Sequence, residues 1–460
     1  MPVILLLPAL LFIVRVNRLL MSRYIFPGYL ALLFCLPLPF ASVYIWGWAF
    51  FAGLSCSLLA AQLLLPAAKV SRSRTAAATT NTIPAYSYPV LLPLCLVPLL
   101  ILMQWFWHVI SGSSAHYDLY LEALQSIGLC SFFALTLLLL NTRDRIKTTI
   151  WVVVLAGGFQ ALYGSLMVMS GLEYGFFSKK WAYLSKATGT FVNRNHLAGY
   201  LEMTLALGIG FLLASSTHYS GNWQQRMRQF IEMLLSPKVI MRLTLAIMVI
   251  GLVMTRSRMG NTAFFASLML TGGLALLLMR NKSQSTTILL ASLLIIDIAI
   301  VGTFFGVEKV AERLQGSSIE KESRDEVSRD TFNMWLENPL LGTGAGSYKY
   351  AYPSHKSDDV TSTLLYDYAH NDYLEFLAEL GIFLYLALAA AVLISLFWAI
   401  QAMRLRRNSL QQGLGFAACM GIIAILIHSS VDFNLQIPAN AFMFVFLLAI
   451  ACIARWSKLR

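Results

Sequence analysis

The chain has 460 residues, with 34 Lys+Arg against 22 Asp+Glu and a formal charge of +12. Only 12% of residues are charged, 58% are hydrophobic, and the mean hydropathy is +0.68. Soluble domains carry roughly twice that charged fraction, so a soluble enzyme and a disordered protein are excluded. Nucleic-acid binding is excluded too, because no basic stripe lies on a polar domain. Apolar stretches of about 20 residues recur from end to end, each long enough to cross a hydrocarbon core of roughly 30 Å. Met1 to Val14 is too short to span, and Arg15 and Arg18 follow it instead of preceding it as in a signal peptide. Residues 1–20 read as an interfacial or re-entrant segment, or as the product of an upstream start codon with Met21 the true start. Spans are then predicted near 26–44, 46–65, 88–110, 119–140, 147–170, 196–216, 239–256, 259–279, 287–306, 372–401, 413–431 and 439–455. The expectation is an all-α polytopic membrane protein of about 12 transmembrane helices. It divides into 1–306 (helices 1–9), an outer-loop subdomain at 307–369, and 370–460 (helices 10–12).

Lys and Arg beside the spans set the orientation. With a cytoplasmic N-terminus, every inside segment is basic, from Arg15/Arg18/Arg23 through Arg143/Arg145/Lys147 to Arg455/Lys458/Arg460. The outside loops near 45, 111–118 and 432–438 carry no Lys or Arg. Three outside segments break the rule. Loop 171–195 holds Lys179, Lys180, Lys186 and Arg194; the turn 256–260 holds Arg256 and Arg258; the loop 307–369 holds seven more. Guanidinium and ammonium groups at a membrane surface suit a pyrophosphate or similar anionic headgroup. For Lys179 and Lys180, ordinary solvated loop charge serves equally well. For Arg256 and Arg258, at the hydrocarbon boundary, unpaired charge is costly. The six cysteines all fall in apolar stretches and read as small packing residues.

The outer loop is the one stretch able to form an aqueous subdomain. Ser318 to Leu336 has helical spacing and is stopped by Glu337-Asn338-Pro339. Gly342-Thr343-Gly344-Ala345-Gly346 follows without the Lys-Ser/Thr of a P-loop, and is expected to be a flexible turn packed on the membrane surface. Tyr348, Tyr350 and Tyr352 suit an interfacial seat or a sugar-stacking platform. Tyr368 to Gly381 then opens the tenth span. Helical spacing puts His370, Leu374, Leu377 and Gly381 on one face with Tyr373 beside them, the glycine permitting close helix approach. A neutral imidazole there can act as general base for a hydroxyl, or simply cap or pack the helix. Glu375 and Glu379, on other faces, are expected to pair with outer-loop arginines. On the same side, Asn195 is expected to cap the sixth span, and His428 and Asp432 form an i, i+4 pair closing the eleventh. In-span Glu202 and Asp297 read as glue between helices. With no carboxylate pair or His/Cys cluster at ligand spacing, no metal and no cofactor are implied.

Five stretches carry a resemblance: GTFVNRNHLAGYLE at 189–202, TRSRMG at 255–260, WLENPLLGTGAGSY at 335–348, AHNDYLEFLAELG at 369–381 and HSSVDFNLQIPAN at 428–440. Together they resemble the O-antigen ligase/polymerase superfamily of bacterial envelope proteins over roughly 189–455. The resemblance implies a GT-C-like, metal-independent glycosyltransferase of the bacterial inner membrane with its site on the periplasmic side. Its implied donor is an undecaprenyl-pyrophosphate-linked glycan. Arg258 and Arg194 would grip the pyrophosphate, with Arg256 assisting, and His370 would activate the acceptor hydroxyl so that the sugar is transferred with inversion. Asn195, His196, Asn371, Tyr373, Glu379, His428 and Asp432 are the supporting candidates. Arg194 departs from the family pattern, which has a small residue or proline between the two asparagines. The implied acceptor is lipid A-core. The rivals are a second lipid-linked repeat, as in a Wzy-type polymerase, and a protein hydroxyl, as in a protein O-oligosaccharyltransferase. A transporter is the non-enzymatic alternative; it predicts inverted repeats and charged mid-membrane helices, and no internal repeat is visible.

Overall fold

A computed structural model describes residues 24–64, 82–111, 116–175, 178–215, 237–279, 291, 318–360 and 365–459. The described residues form an all-α polytopic membrane protein, in which nine helices are long and apolar enough to cross a bilayer. In chain order the helices are α1 (Tyr24–Cys35), α2 (Ile45–Leu64), α3 (Tyr88–Ser111), α4 (His116–Leu139), α5 (Arg143–Ser170), α6 (Arg194–Ala214), α7 (Pro237–Met254) and α8 (Arg258–Leu278). After them come α9 (Ser318–Glu337), α10 (Asp372–Leu405), α11 (Ser409–His428) and α12 (Pro438–Trp456). Two residues on each side of a tight hairpin, Tyr174–Gly175 and Ser178–Lys179, pair antiparallel. Apart from residue 291, the expected span 287–306 falls outside the described residues, as do Asp297 and residues 1–23.

The first expected span, 26–44, is corrected. Among the described residues the α1 helix runs over Tyr24–Cys35 and stops well before residue 44. Pro37 and Pro39 then prevent its continuation, and Phe40, Ala41 and Ser42 all take left-handed backbone.

Short polar side chains start the helices where the sequence turns apolar. Thr142, Asn193, Ser257, Asn371 and Asn408 each accept a hydrogen bond from a backbone N–H of the first turn of α5, α6, α8, α10 and α11. The cap of α6 is therefore Asn193, and Asn195, expected to be the cap, lies inside the first turn. Helices α6, α11 and α12 are enclosed almost completely, while α2 and α3 lie at the periphery. The α5–α6, α7–α8 and α11–α12 connections and the start of α10 meet at one end of this bundle.

Helix α10 is broken at Gly381, whose φ of 68° and ψ of 175° interrupt the helical backbone. The glycine loop fills the break. Thr343 N–H donates to Ala378 O and Gly344 N–H to Glu379 O, each at 2.9 Å, while Ile382 N–H donates to Pro339 O. A Cβ at Gly342 would sit 2.3 Å from Glu379 O, and one at Gly381 would sit 2.3 Å from Leu340 O. Both positions also have positive φ, so only glycine fits. Gly381 thus admits a loop, not the neighbouring helix that its spacing suggested, and the glycine-rich turn is a backbone clasp.

Around the clasp, α9 and residues 340–360 pack about a small core of Val327, Met334, Tyr348, Tyr352, Val360 and Ala378. Tyr348 and Tyr352 are buried and stack on each other with ring centroids 5.1 Å apart. Only Tyr350 of the three tyrosines is exposed, so two of them pack a core and offer neither a seat nor a platform.

Candidate active site

Two short segments bring chemistry to the same end of the bundle. The first leads into α6. Thr190 N–H and Oγ1 both reach the Gln160 Oε1 acceptor on α5, at 2.9 and 3.1 Å, which fixes the approach to Asn193 and hence the direction of the first turn of α6. The second is the α7–α8 turn. Thr255 Oγ1 donates to Leu252 O and accepts from Ser257 N–H, Arg256 takes φ of +52°, and Ser257 caps α8. Arg256 and Arg258 are both exposed. Arg194 joins the two segments: its Nη1 donates to Arg256 O at 3.3 Å, and its guanidinium lies 5.9 Å from the Tyr183 ring centroid. Gly260, two residues after Arg258, lies against Ala198 and Glu202 of α6. The three arginines therefore share one neighbourhood.

His370 enters from the other side. It precedes the helix instead of sharing its face, because α10 begins at Asp372, and its own φ is +52°. Four neighbouring side chains hold it there. Asn371 caps α10 and its Nδ2 donates to Ser430 O. The Asp372 carboxylate accepts from Ser429 Oγ at 2.6 Å and Leu435 N–H at 3.1 Å. Tyr373 Oη donates to Leu426 O at 2.5 Å. Buried Glu375 accepts the Ala369 N–H at 2.7 Å. Every one of these except the last ties the start of α10 to the α11–α12 loop or to the end of α11.

That loop carries Asp432, which lies among three imidazoles. His370 Nδ1 is 3.9 Å from Oδ1, His196 Nε2 is 3.8 Å from Oδ1, and His428 Nε2 is 3.9 Å from Oδ2. These separations are electrostatic contacts and longer than hydrogen bonds. Burial alone would raise the Asp432 pKa, but the imidazoles of His196 and His370 outweigh it and hold the carboxyl well below the usual carboxylate range. His428 Nδ1 hydrogen-bonds Glu202 Oε1 at 2.8 Å with both side chains fully buried, so Glu202 joins α6 to α11. The Phe433 ring meets His196 and His370 edge-on at 4.6 and 4.9 Å, and Tyr368 stacks on it at 4.3 Å. His196 is buried, whereas the His370 side chain keeps 29% of its surface open. Among these imidazoles, His370 is the one a substrate can reach.

Residues 243–389 match the Wzy_C family, described as O-antigen ligase. The chain carries a Wzy_C domain. The matched stretch takes in Arg256, Arg258 and His370, while Arg194, His196, His428 and Asp432 flank it in sequence and meet it in space. No curated protein sequence matches the chain.

Not all the predicted residues converge. Glu379 faces the glycine clasp, where its carboxylate accepts the Tyr348 N–H at 2.8 Å. Glu375 and Glu379 thus bind backbone N–H groups in place of the arginines expected. Lys180 is spent inside its own loop, on Glu173, Tyr183 O and Lys186 O. Phe433, Tyr183 and Arg324, whose Nη1 is 3.5 Å from Val431 O, were not singled out from sequence. Phe433 had a signal, since it follows Asp432 within a quoted motif; Tyr183 and Arg324 had none.

Proposed function

We propose that this membrane protein is a glycosyltransferase that moves a glycan from undecaprenyl pyrophosphate to an acceptor hydroxyl. One observation carries the reading. In the first turn of α6, at one end of the bundle, Arg194 binds the backbone of Arg256, two residues before Arg258, and His196 faces Asp432, the carboxylate that His370 also faces. A lipid-linked donor reaches that end from the bilayer.

With Nδ1 turned to Asp432, the Nε2 of His370 takes the proton of the acceptor hydroxyl. The oxygen attacks the anomeric carbon opposite the pyrophosphate, the bond from that carbon to the pyrophosphate oxygen breaks, and undecaprenyl pyrophosphate departs with the electron pair. Configuration inverts. The guanidiniums receive the negative charge that develops on the leaving group, and the ionised Asp432 stabilises the imidazolium. Lipid A-core is the acceptor this reading favours, on the periplasmic face of the inner membrane, within a GT-C-like architecture.

The test is to incubate the purified protein with undecaprenyl-pyrophosphate glycan and, separately, lipid A-core, a second lipid-linked repeat and a hydroxyl-bearing protein, with a chelator present. Transfer to lipid A-core supports the ligase reading, transfer to the second repeat the polymerase, and transfer to protein the oligosaccharyltransferase. No product with any acceptor overturns the enzyme reading, and full transfer by a folded His370→Ala variant overturns the role of His370.

A further inference from the structure

Helix α5 exposes Leu155, Leu162, Leu166 and Met169, which recur at seven-, four- and three-residue spacing and so lie on one face. Met169 is 75% exposed in the last turn. In a membrane-spanning helix such a face meets lipid. The stripe does not end with the helix. Gly171 closes α5 with left-handed backbone, and the chain turns back as the short hairpin. Tyr163 Oη donates to Tyr174 O at 2.9 Å, which sets the hairpin beside the last two turns of α5 and not beyond them. Gly157 of α5 meets Thr204 of α6, so the end of α5 overshoots the start of α6 by only about one helical turn. The hairpin is therefore level with the start of α6.

Its polar groups turn inward. Lys180 Nζ binds Glu173 Oε2, Tyr183 O and Lys186 O, and Glu173 Oε1 accepts the Ser185 N–H. This knot leaves Leu172, Trp181 and Leu184 facing out, with Trp181 82% exposed. Lys179 beside Trp181 is exposed as well, and its long stem lets the ammonium reach headgroups above an apolar contact.

We propose that this hairpin is seated in the bilayer, with Trp181 at the headgroup–hydrocarbon boundary of the leaflet next to the site and lipid as the occupant of its apolar face. The argument is continuity with the lipid-facing stripe of α5, joined to the interfacial chemistry of an indole beside a lysine. Tyr183, two residues on, lies against the Arg194 guanidinium, so the seat also sets the depth of Arg194 at headgroup level. None of this depends on the proposed reaction.

The chain has 10 tryptophans, so the measured signal is the difference in emission between wild type and Trp181→Phe, both full length in phosphatidylcholine vesicles. The substitution keeps an aromatic ring on an exposed side chain and spares the fold. Lipid brominated just below the headgroup is expected to cut that difference emission at least about twofold, as for an interfacial indole. Lipid brominated near the chain methyls should cut it less, and aqueous iodide should leave it almost unchanged. Difference emission that iodide quenches and brominated lipid does not would overturn the proposal.

Discussion

His370 Nδ1 lies 3.9 Å from Asp432 Oδ1, although two whole transmembrane helices separate the residues in the chain. The proximity is built by their neighbours. Asp372 and Asn371 are fastened to Ser429, Ser430 and Leu435, so the backbone before α10 is pulled over the α11–α12 loop and the imidazole arrives at the carboxylate.

If that carboxylate orients and charges the imidazole, Asp432→Asn lowers kcat about 10–100-fold with little change in the KM for donor, the loss typical when a partner one shell out is neutralised. Steady-state kinetics with a lipid-pyrophosphate donor checks this. A change confined to KM would place Asp432 in donor binding instead.

The lowered pKa of Asp432 has a pH consequence. A carboxyl held below its unfolded value, ordinarily about 3.9, contributes stability that is fully present above that value and lost as pH falls through the folded one. The gap in melting temperature between wild type and Asp432→Asn should therefore not shrink from neutral pH to about pH 5 and should close only in stronger acid. A gap that closes between pH 7 and 5 would contradict the assignment.

Replacing Arg258 by Lys separates charge from geometry. A bidentate phosphate contact needs the planar guanidinium fork, so Arg258→Lys should cost nearly as much activity as Arg258→Ala, at least about tenfold. Equal activity of the Lys form and wild type would show that charge alone matters.

The clasp at the break in α10 makes Gly342 and Gly381 intolerant. Alanine at Gly342 must hold left-handed backbone and push its Cβ against Glu379 O, at a cost of about 2 kcal/mol. Thermal unfolding in detergent should show the loss, with Gly273→Ala, which meets nothing within 4 Å, as the silent control.

Glu202 and His428 are a fully buried pair. Removing one partner leaves the other uncompensated and should cost about 3 kcal/mol, whereas replacing both by leucine should cost less than either single change. Chemical denaturation of the three variants measures this; additive losses would mean the pair is not coupled.

What the sequence determined by itself was most of the apolar segments, because hydropathy acts locally, whereas the cap of α6 is Asn193 and not the expected Asn195. It also singled out the candidates Arg194, Arg256 and Arg258, since guanidinium beside a span is legible as charge out of place, and His370 as an imidazole ahead of a span. Tertiary structure alone decided which of these meet. A 3.6-residue period put His370 on a helix face, but the bonds of Asn371 and Asp372 to the α11–α12 loop hold it just ahead of the helix. The same period made Gly381 a helix contact, whereas the Pro339–Gly344 backbone occupies its break. Glu379 looked free to pair with arginine until the Tyr348 N–H claimed it. Contacts between segments hundreds of residues apart follow from the packing of whole helices, and no local pattern encodes that packing.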